Sequence, residues 1–257
     1  MSNLLVELQN HIQLITFNRT EKHNAFDDVL LTELQTALDN AQQNPMVRVI
    51  ILKSNGSHFS AGADVNWMKR MAQFTEAENQ ADAHILARVM YTLYHCIKPT
   101  IAMVQGAAFG GGAGLVAACD IAIAAETAKF CFSEVKLGLI PAVISPYVLK
   151  AIGERAATWL FMSAEIIDAK RALELQLVQH CVTEDTLLSY TLKYATQLTE
   201  LPPQAVCEAK SLIRQVADLP INETLQTLTA SLIAKKRVST EGQQALQAFL
   251  NKEKITW

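Results

Sequence analysis

One acid and two glycine-bearing loops carry the chemistry this sequence can do. The acid is Glu134, in the run F-C-F-S-E. One loop is S-A-G-A-D at residues 60–64, and the other is G-A-A-F-G-G-G at residues 106–112. Five of the chain's ten glycines (Gly106, Gly110, Gly111, Gly112 and Gly114) fall within nine residues. Glycine is disfavoured inside helices and strands, so such a cluster implies close backbone approach. A helix that opens in glycines also offers unobstructed N–H groups and a positive dipole end. That arrangement can hold a phosphate or the oxygen of an acyl group. Dense strand–helix packing is the alternative that the glycines alone leave open.

Each loop follows an apolar run that reads as a buried strand, residues 47–52 before the first and 100–104 before the second. Loops after parallel strands emerge on the carboxyl edge of a sheet, where ligands bind. Two backbone N–H groups, one per loop, could then converge on one oxygen, making an oxyanion hole without side chains. Residues 4–8 and 12–17 read as strands joined by a turn at Gln9-Asn10-His11. Asp27 or Asp28 can cap a helix carrying Leu30, Leu31, Leu34 and Leu38 at helical spacing. Asp64 can cap a second helix, which begins V-N-W-M-K-R-M, whatever else its side chain does. A longer helix is expected over about 76–95, a short small-residue helix over 115–119 and a further strand over 120–125. Gly153 divides a later apolar stretch, and Asp168 caps a short helix. From residue 184 the pattern is helical, broken at Pro202-Pro203 and Pro220. Strand–helix–strand alternation over 47–125 predicts right-handed crossovers and the largely parallel sheet of an α/β protein. The helical tail has too few apolar positions for a core of its own, so it covers the sheet unit or packs on a neighbouring chain.

The composition narrows the classes. Half of the 257 residues are hydrophobic and 18% are charged, enough for a sizeable core. The net charge of -3 argues against nucleic acid as the main partner, because phosphate neutralisation needs a basic footprint. Five cysteines (Cys96, Cys119, Cys131, Cys181 and Cys207) are scattered without C-x-x-C spacing. That suits reduced core thiols in a cytoplasmic protein, not a disulfide frame or a metal site. No signal peptide or membrane span is expected, since no apolar run approaches about 20 residues.

Together, R-T-E-K-H-N-A-F, F-S-A-G-A-D, K-P-T-I-A-M-V-Q-G-A-A-F-G-G-G, C-D-I-A-I-A and F-C-F-S-E-V-K-L-G-L-I-P resemble the enoyl-CoA hydratase/isomerase, or crotonase, family over nearly the whole chain. The resemblance implies the ClpP-like crotonase spiral of ββα units at 1–195 and a C-terminal helical trimerisation region at 196–257. It implies homotrimers or hexamers made of paired trimers, coenzyme A thioesters as substrates, and no cofactor beyond the coenzyme A of the substrate. By position, Ala63 and Gly111 would supply the N–H groups that hold the thioester oxygen. Ala61, Asp64 and Val65 would contact the CoA through backbone groups, with Lys22 nearby and Lys252 reaching a CoA phosphate. Trp67 and Met68 would line or pack beside the acyl pocket.

Hydratases of the family usually place one glutamate two residues after the triple glycine and another twenty residues later. Here the second is Glu134, while the first position is Gly114. Glu134 could act alone as acid and base, because the proton and the hydroxyl arrive on one face. It could equally shuttle a proton along an allylic system, as an isomerase does. A glycine at 114 is expected to open space for a carboxylated substrate. Ser133 and Tyr147 are candidates to polarise water in place of the absent glutamate. The segment after Glu134 is similar to the bacterial 3-methylglutaconyl-CoA and isohexenylglutaconyl-CoA hydratase branch, which implies hydration of a glutaconyl-type ester. A Δ3-Δ2 isomerase or a decarboxylase is the alternative. Binding of AU-rich RNA, implied by a human relative of the group, is less favoured by the acidic balance.

Overall fold

The computed structural model describes residues 2–257. The chain opens with β1 (Leu4–Gln9) and β2 (Ile12–Phe17), an antiparallel pair. Asn10 and His11 turn the chain between them with positive φ of 46° and 68°. Then come α1 (Asp28–Gln43), β3 (Val49–Ser54), α2 (Val65–Met71), α3 (Glu76–Tyr94), β4 (Thr100–Val104), β5 (Ala107–Phe109) and α4 (Gly111–Ala118). They are followed by β6 (Ile121–Ala125), β7 (Lys129–Cys131), α5 (Ser145–Ser163), β8 (Ile167–Asp168), α6 (Ala169–Glu174) and β9 (His180–Val182). Four helices close the chain: α7 (Leu187–Thr199), α8 (Pro203–Val216), α9 (Glu223–Arg237) and α10 (Thr240–Asn251).

The main sheet has the order β1-β2-β3-β4-β6-β9, and every pairing after the first is parallel. A parallel sheet must be covered on both faces, and its strands here sort their side chains by face. Ile15, Phe17, Ile50, Leu52, Ala102, Val104, Ala122 and Ala124 join the core that holds α1, α3 and α4. Ile12, Leu14, Val49, Ile51, Ile101, Met103 and Ile123 face the opposite way, onto Leu187 and Ala195 of α7. The two central strands thus turn mostly alanine towards α4 and larger residues towards α7. This lets α4 lie close against the sheet, and α4 is the element that carries the glycine cluster.

Gly111, Gly112 and Gly114 are part of α4 and Gly110 is its N-cap, while Gly106 lies before β5. The helix starts at Gly111, four residues earlier than the small-residue helix expected from the sequence. Gly112 and Gly114 sit inside it because their neighbours leave no room for a side chain: a Cβ on Gly112 would stand 2.9 Å from Cβ of Ser60. A second, three-stranded sheet, β5-β7-β8, was not expected; its strands are too short to show periodicity. Asp27, Asp64 and Asp168 cap α1, α2 and α6 through hydrogen bonds to backbone N–H groups, as the sequence predicted. Gly153, with φ 77° and ψ 163°, breaks α5 into two segments, also as predicted. The boundary expected at 195/196 falls inside α7, which continues to Thr199 and packs on the sheet. The segment that leaves the sheet begins at α8, where Pro202 and Pro203 end one direction and start another.

Candidate active site

Three stretches of backbone are laced together at the carboxyl edge of the sheet. Phe26 donates its N–H to Gly62 O at 2.9 Å, and Asp64 donates to Phe26 O at 2.9 Å. Ser60 donates to Ala107 O and Phe109 donates to Ser60 O, both at 3.0 Å. The loops at 60–64 and 106–112 are therefore neighbours in hydrogen-bonded register, and not merely loops on the same edge. Ser60 Oγ donates to Asn24 O and accepts from the Gly62 N–H, which ties the first loop to the segment before α1.

The lacing leaves two particular donors over. The bridge between Phe26 and Ala63 uses the groups on either side of Ala63, and the Ala63 N–H has no acceptor among the described residues. The Gly111 N–H, first of α4, has none either, as expected for the opening turn of a helix. Phe26 joins the two sites: it bridges Ala63 through its backbone, and its ring fills the place a Gly111 side chain would need, 2.5 Å from a Cβ built there. Gly111 can only be glycine beside that ring. The N-cap Gly110 has φ 51° and ψ -125°, a conformation closed to most side chains.

Glu134 follows β7 and opens a 3-10 turn, Glu134–Leu137. Strand β7 is held to the glycine turn by the Gly110 N–H donating to Cys131 O at 2.8 Å. The carboxyl consequently lies over Gly110: a Cβ built there would stand 3.4 Å from Glu134 Oε1 and 3.6 Å from Ser133 Oγ. Glu134 Oε2 is buried and has no hydrogen-bond partner. Burial pushes this carboxyl above the usual range, only partly offset by its own backbone N–H. A partly desolvated acid over a turn whose next N–H, that of Gly111, is unpaired can exchange a proton with a carbon next to a held carbonyl.

The other predicted residues sort into three groups. Asp64 is buried and committed to structure. It accepts from the Asn66 and Trp67 N–H groups, and its Oδ2 lies 2.7 Å from Lys22 Nζ and 3.4 Å from an Arg19 nitrogen. Burial raises its pKa, but Lys22 and the two helix N–H groups together bring it below the ordinary value. Lys22 thus stands at the edge of the site, half-exposed and tied to Asp64. Of the backbone contacts expected of Ala61, Asp64 and Val65, two N–H groups are already used, Ala61 on His23 O and Asp64 on Phe26 O. The Asp64 carbonyl accepts from the Met68 N–H at 2.9 Å, so the Ala61 carbonyl and the exposed Val65 at the start of α2 are left to meet a ligand.

Trp67 and Met68 stand behind the site. Trp67 is buried, tilts against Phe26 at 6.3 Å and donates its indole N–H to Asp82. It holds the ring that holds Gly111. Met68 is half-buried on the same helix. Lys252 is not brought to either loop in this chain; it caps α10, which packs on α8 and α9. Tyr147 likewise is not beside Glu134. It stacks edge-on with Tyr94 at 5.4 Å and lines a separate cavity of about 970 Å³ between α4, α5 and α8. That cavity lies at the amino edge of the strands, where Asp120 binds the Thr100 N–H and hydroxyl and pairs with Lys210.

The space expected at Gly114 is filled. A Cβ there would stand 2.2 Å from Ile144 Cγ2 and 3.1 Å from Met90 Cε. No carboxylated substituent can lie there, because an apolar plug already does. Ile144, Met90, Leu86 and Phe26 are the site residues that sequence reasoning missed. Ile144, Met90 and Leu86 sit in ordinary apolar stretches and Phe26 closes a polar loop, and only the packing of that loop, α3 and α5 around α4 brings them together.

The family model for enoyl-CoA hydratase/isomerase matches residues 7–257. The chain is similar to an enoyl-CoA hydratase/isomerase (crotonase) from Legionella pneumophila, whose crystal structure is 63% identical with TM-score 0.96, covering 99% of this chain and 98% of that one. An enoyl-CoA hydratase from Shewanella pealeana is 44% identical with TM-score 0.96, covering 100% of this chain and 96% of that one. The 2,3-dehydroadipyl-CoA hydratase of Escherichia coli is 30% identical over 98% of this chain and 97% of its own.

Proposed function

The chain belongs to the enoyl-CoA hydratase/isomerase family, and from that premise we propose that it adds water across the conjugated double bond of an enoyl-CoA thioester with Glu134 as its acid and base. In this reading the thioester oxygen accepts from the Ala63 and Gly111 N–H groups. The oxygen of one water bonds to the β-carbon, one of its protons passes to Glu134, and the α-carbon takes a proton from the same carboxyl. The carbonyl oxygen carries enolate charge in between. The observation that carries the reading is the buried, unpartnered Oε2 of Glu134, set over the turn whose next N–H is free. Ser133 Oγ, on the same side of Gly110, is the hydroxyl available to orient the water.

For the substrate we favour a branched glutaconyl-type ester such as 3-methylglutaconyl-CoA. In support, the E. coli relative is named for a dicarboxylic enoyl-CoA. The far carboxylate must then point away from Gly114. Coenzyme A enters as part of the substrate and no other cofactor is invoked; Lys22, at the rim, is the cation suited to its phosphates. Apolar residues exposed on α8 to α10 and their links, among them Ile213, Ile221, Val238 and Phe249, support assembly into trimers or paired trimers. In such an assembly Lys252 would meet the CoA of a neighbour. Five free thiols fit a reducing, cytoplasmic setting.

One observation favours a second reading. With Ile144 and Met90 where a second acid would stand, Glu134 could instead carry a proton between the α- and γ-carbons, as a Δ3-Δ2 isomerase does. Product analysis on crotonyl-CoA, 3-methylglutaconyl-CoA and 3-hexenoyl-CoA decides: water-dependent loss of thioester conjugation supports hydration, and conjugation gained from the 3-enoyl ester supports isomerisation. Glu134→Gln should lower either rate on the order of 100-fold or more. A Glu134→Gln protein with the parent's rate would remove both.

A further inference from the structure

Gly110 and Gly114 stand one turn apart on α4 and so share a face of it. The Glu134 carboxyl lies over the first, and Ile144 with Met90 over the second. Ile144 is only 2% exposed, and it sits at the cap position of α5 with its carbonyl accepting from Tyr147 and Val148, both at 3.1 Å. A β-branched side chain on a backbone fixed in this way cannot swing aside. Any side chain at 114 would have to displace it, since Ile144 Cβ itself would be 2.7 Å from a Cβ there.

Building on the proposed role of Glu134, we propose that Ile144, wedged against Gly114, is a specificity-determining residue. About one helical turn, ~5.4 Å, along α4 from the Glu134 position, it keeps out a second acidic group and the water that group would hold. Glu134 is thereby the single proton carrier. The substrates admitted are those whose reaction needs only one.

The test is the pH dependence of crotonyl-CoA hydration by the full chain carrying Ile144→Asp or Ile144→Asn. The aspartate sets a carboxyl where Cγ2 now stands, and the asparagine sets the same shape without an ionisable proton. The expected result is a second ionisation in the kcat profile of Ile144→Asp alone, with a rate at least about 10-fold above Ile144→Asn. Equal rates and a single ionisation in both would overturn the proposal. Should Ile144→Asp fail to fold by circular dichroism, Gly114→Glu combined with Ile144→Gly delivers the acid from the facing position. It is read in the same way against Gly114→Gln with Ile144→Gly. Glu134→Gln in the parent separates the two claims. Full activity there removes the role of Glu134, whereas an inactive Glu134→Gln beside an unchanged Ile144→Asp profile removes only that of Ile144.

Discussion

Glu134 Oε1 lies 3.4 Å from where Gly110 would carry a Cβ, and its partner oxygen Oε2 is sealed from solvent without a hydrogen bond. The carboxyl is held against the one turn of backbone that cannot push it away. The arrangement makes the acid reactive and costs stability. Its raised pKa means the folded chain binds more protons than the unfolded chain as pH rises through the carboxylate range, so this group's contribution to stability falls with rising pH. Glu134→Gln is therefore expected to melt at or above the parent temperature at pH 7.5, the difference closing towards pH 4. Thermal melts at both pH values check this; a variant less stable at pH 7.5 contradicts it. For activity the sign is reversed. A base must be ionised, so kcat should fall on acidification, and at a pH above the ordinary carboxylate range.

Gly114→Ala is expected to destabilise by about 1–3 kcal/mol, since the new methyl must displace Ile144. Ile144→Gly should recover part of that loss in the double variant although it costs stability alone. A double-mutant cycle by urea unfolding measures the coupling. Additive effects would mean the two positions do not share the space.

Asp64 joins two segments: it caps α2, and it pairs with Lys22 and Arg19 of the turn before α1. Asp64→Ala should cost about 0.5–2 kcal/mol, chiefly through the lost α2 cap, because Arg19 keeps Asp27 at 2.9 Å. Because the folded pKa is depressed, its contribution is present above the unfolded carboxylate pKa and is lost as pH falls through the folded one. Acid melts of parent and Asp64→Asn should converge below that range.

Lys22→Ala leaves Arg19 on Asp64, so the fold should persist. If Lys22 also meets the CoA, KM should rise several-fold with kcat nearly kept, and the effect should shrink at high salt. Steady-state kinetics at two ionic strengths distinguishes this from loss of the Asp64 pair alone, which would lower the melting temperature without changing KM.

Asp120 links the amino edge of β4 to α8 through Thr100, Lys210 and Arg214. Asp120→Ala should loosen α8 before it alters the chemistry. Hydrogen exchange should rise across α8 while kcat per folded site is maintained. Loss of kcat without added exchange in α8 would contradict this.

Much of the architecture was legible because its signals are local. Continuous apolar runs mark β3 and β4, and the caps at Asp27, Asp64 and Asp168 read directly from side-chain chemistry. The short strands β5, β7 and β8 were hidden, since three residues or fewer carry no period.

By itself the sequence determined the two glycine loops, with Ala63 and Gly111 within them, and Glu134 with glycine and not a second glutamate at position 114. Only the tertiary structure decided what stands where the second acid is missing. Glycine at 114 reads as empty room in one dimension. In three it is a notch into which Ile144, thirty residues along the chain, inserts its side chain, and a close-packed interior leaves no such notch unfilled.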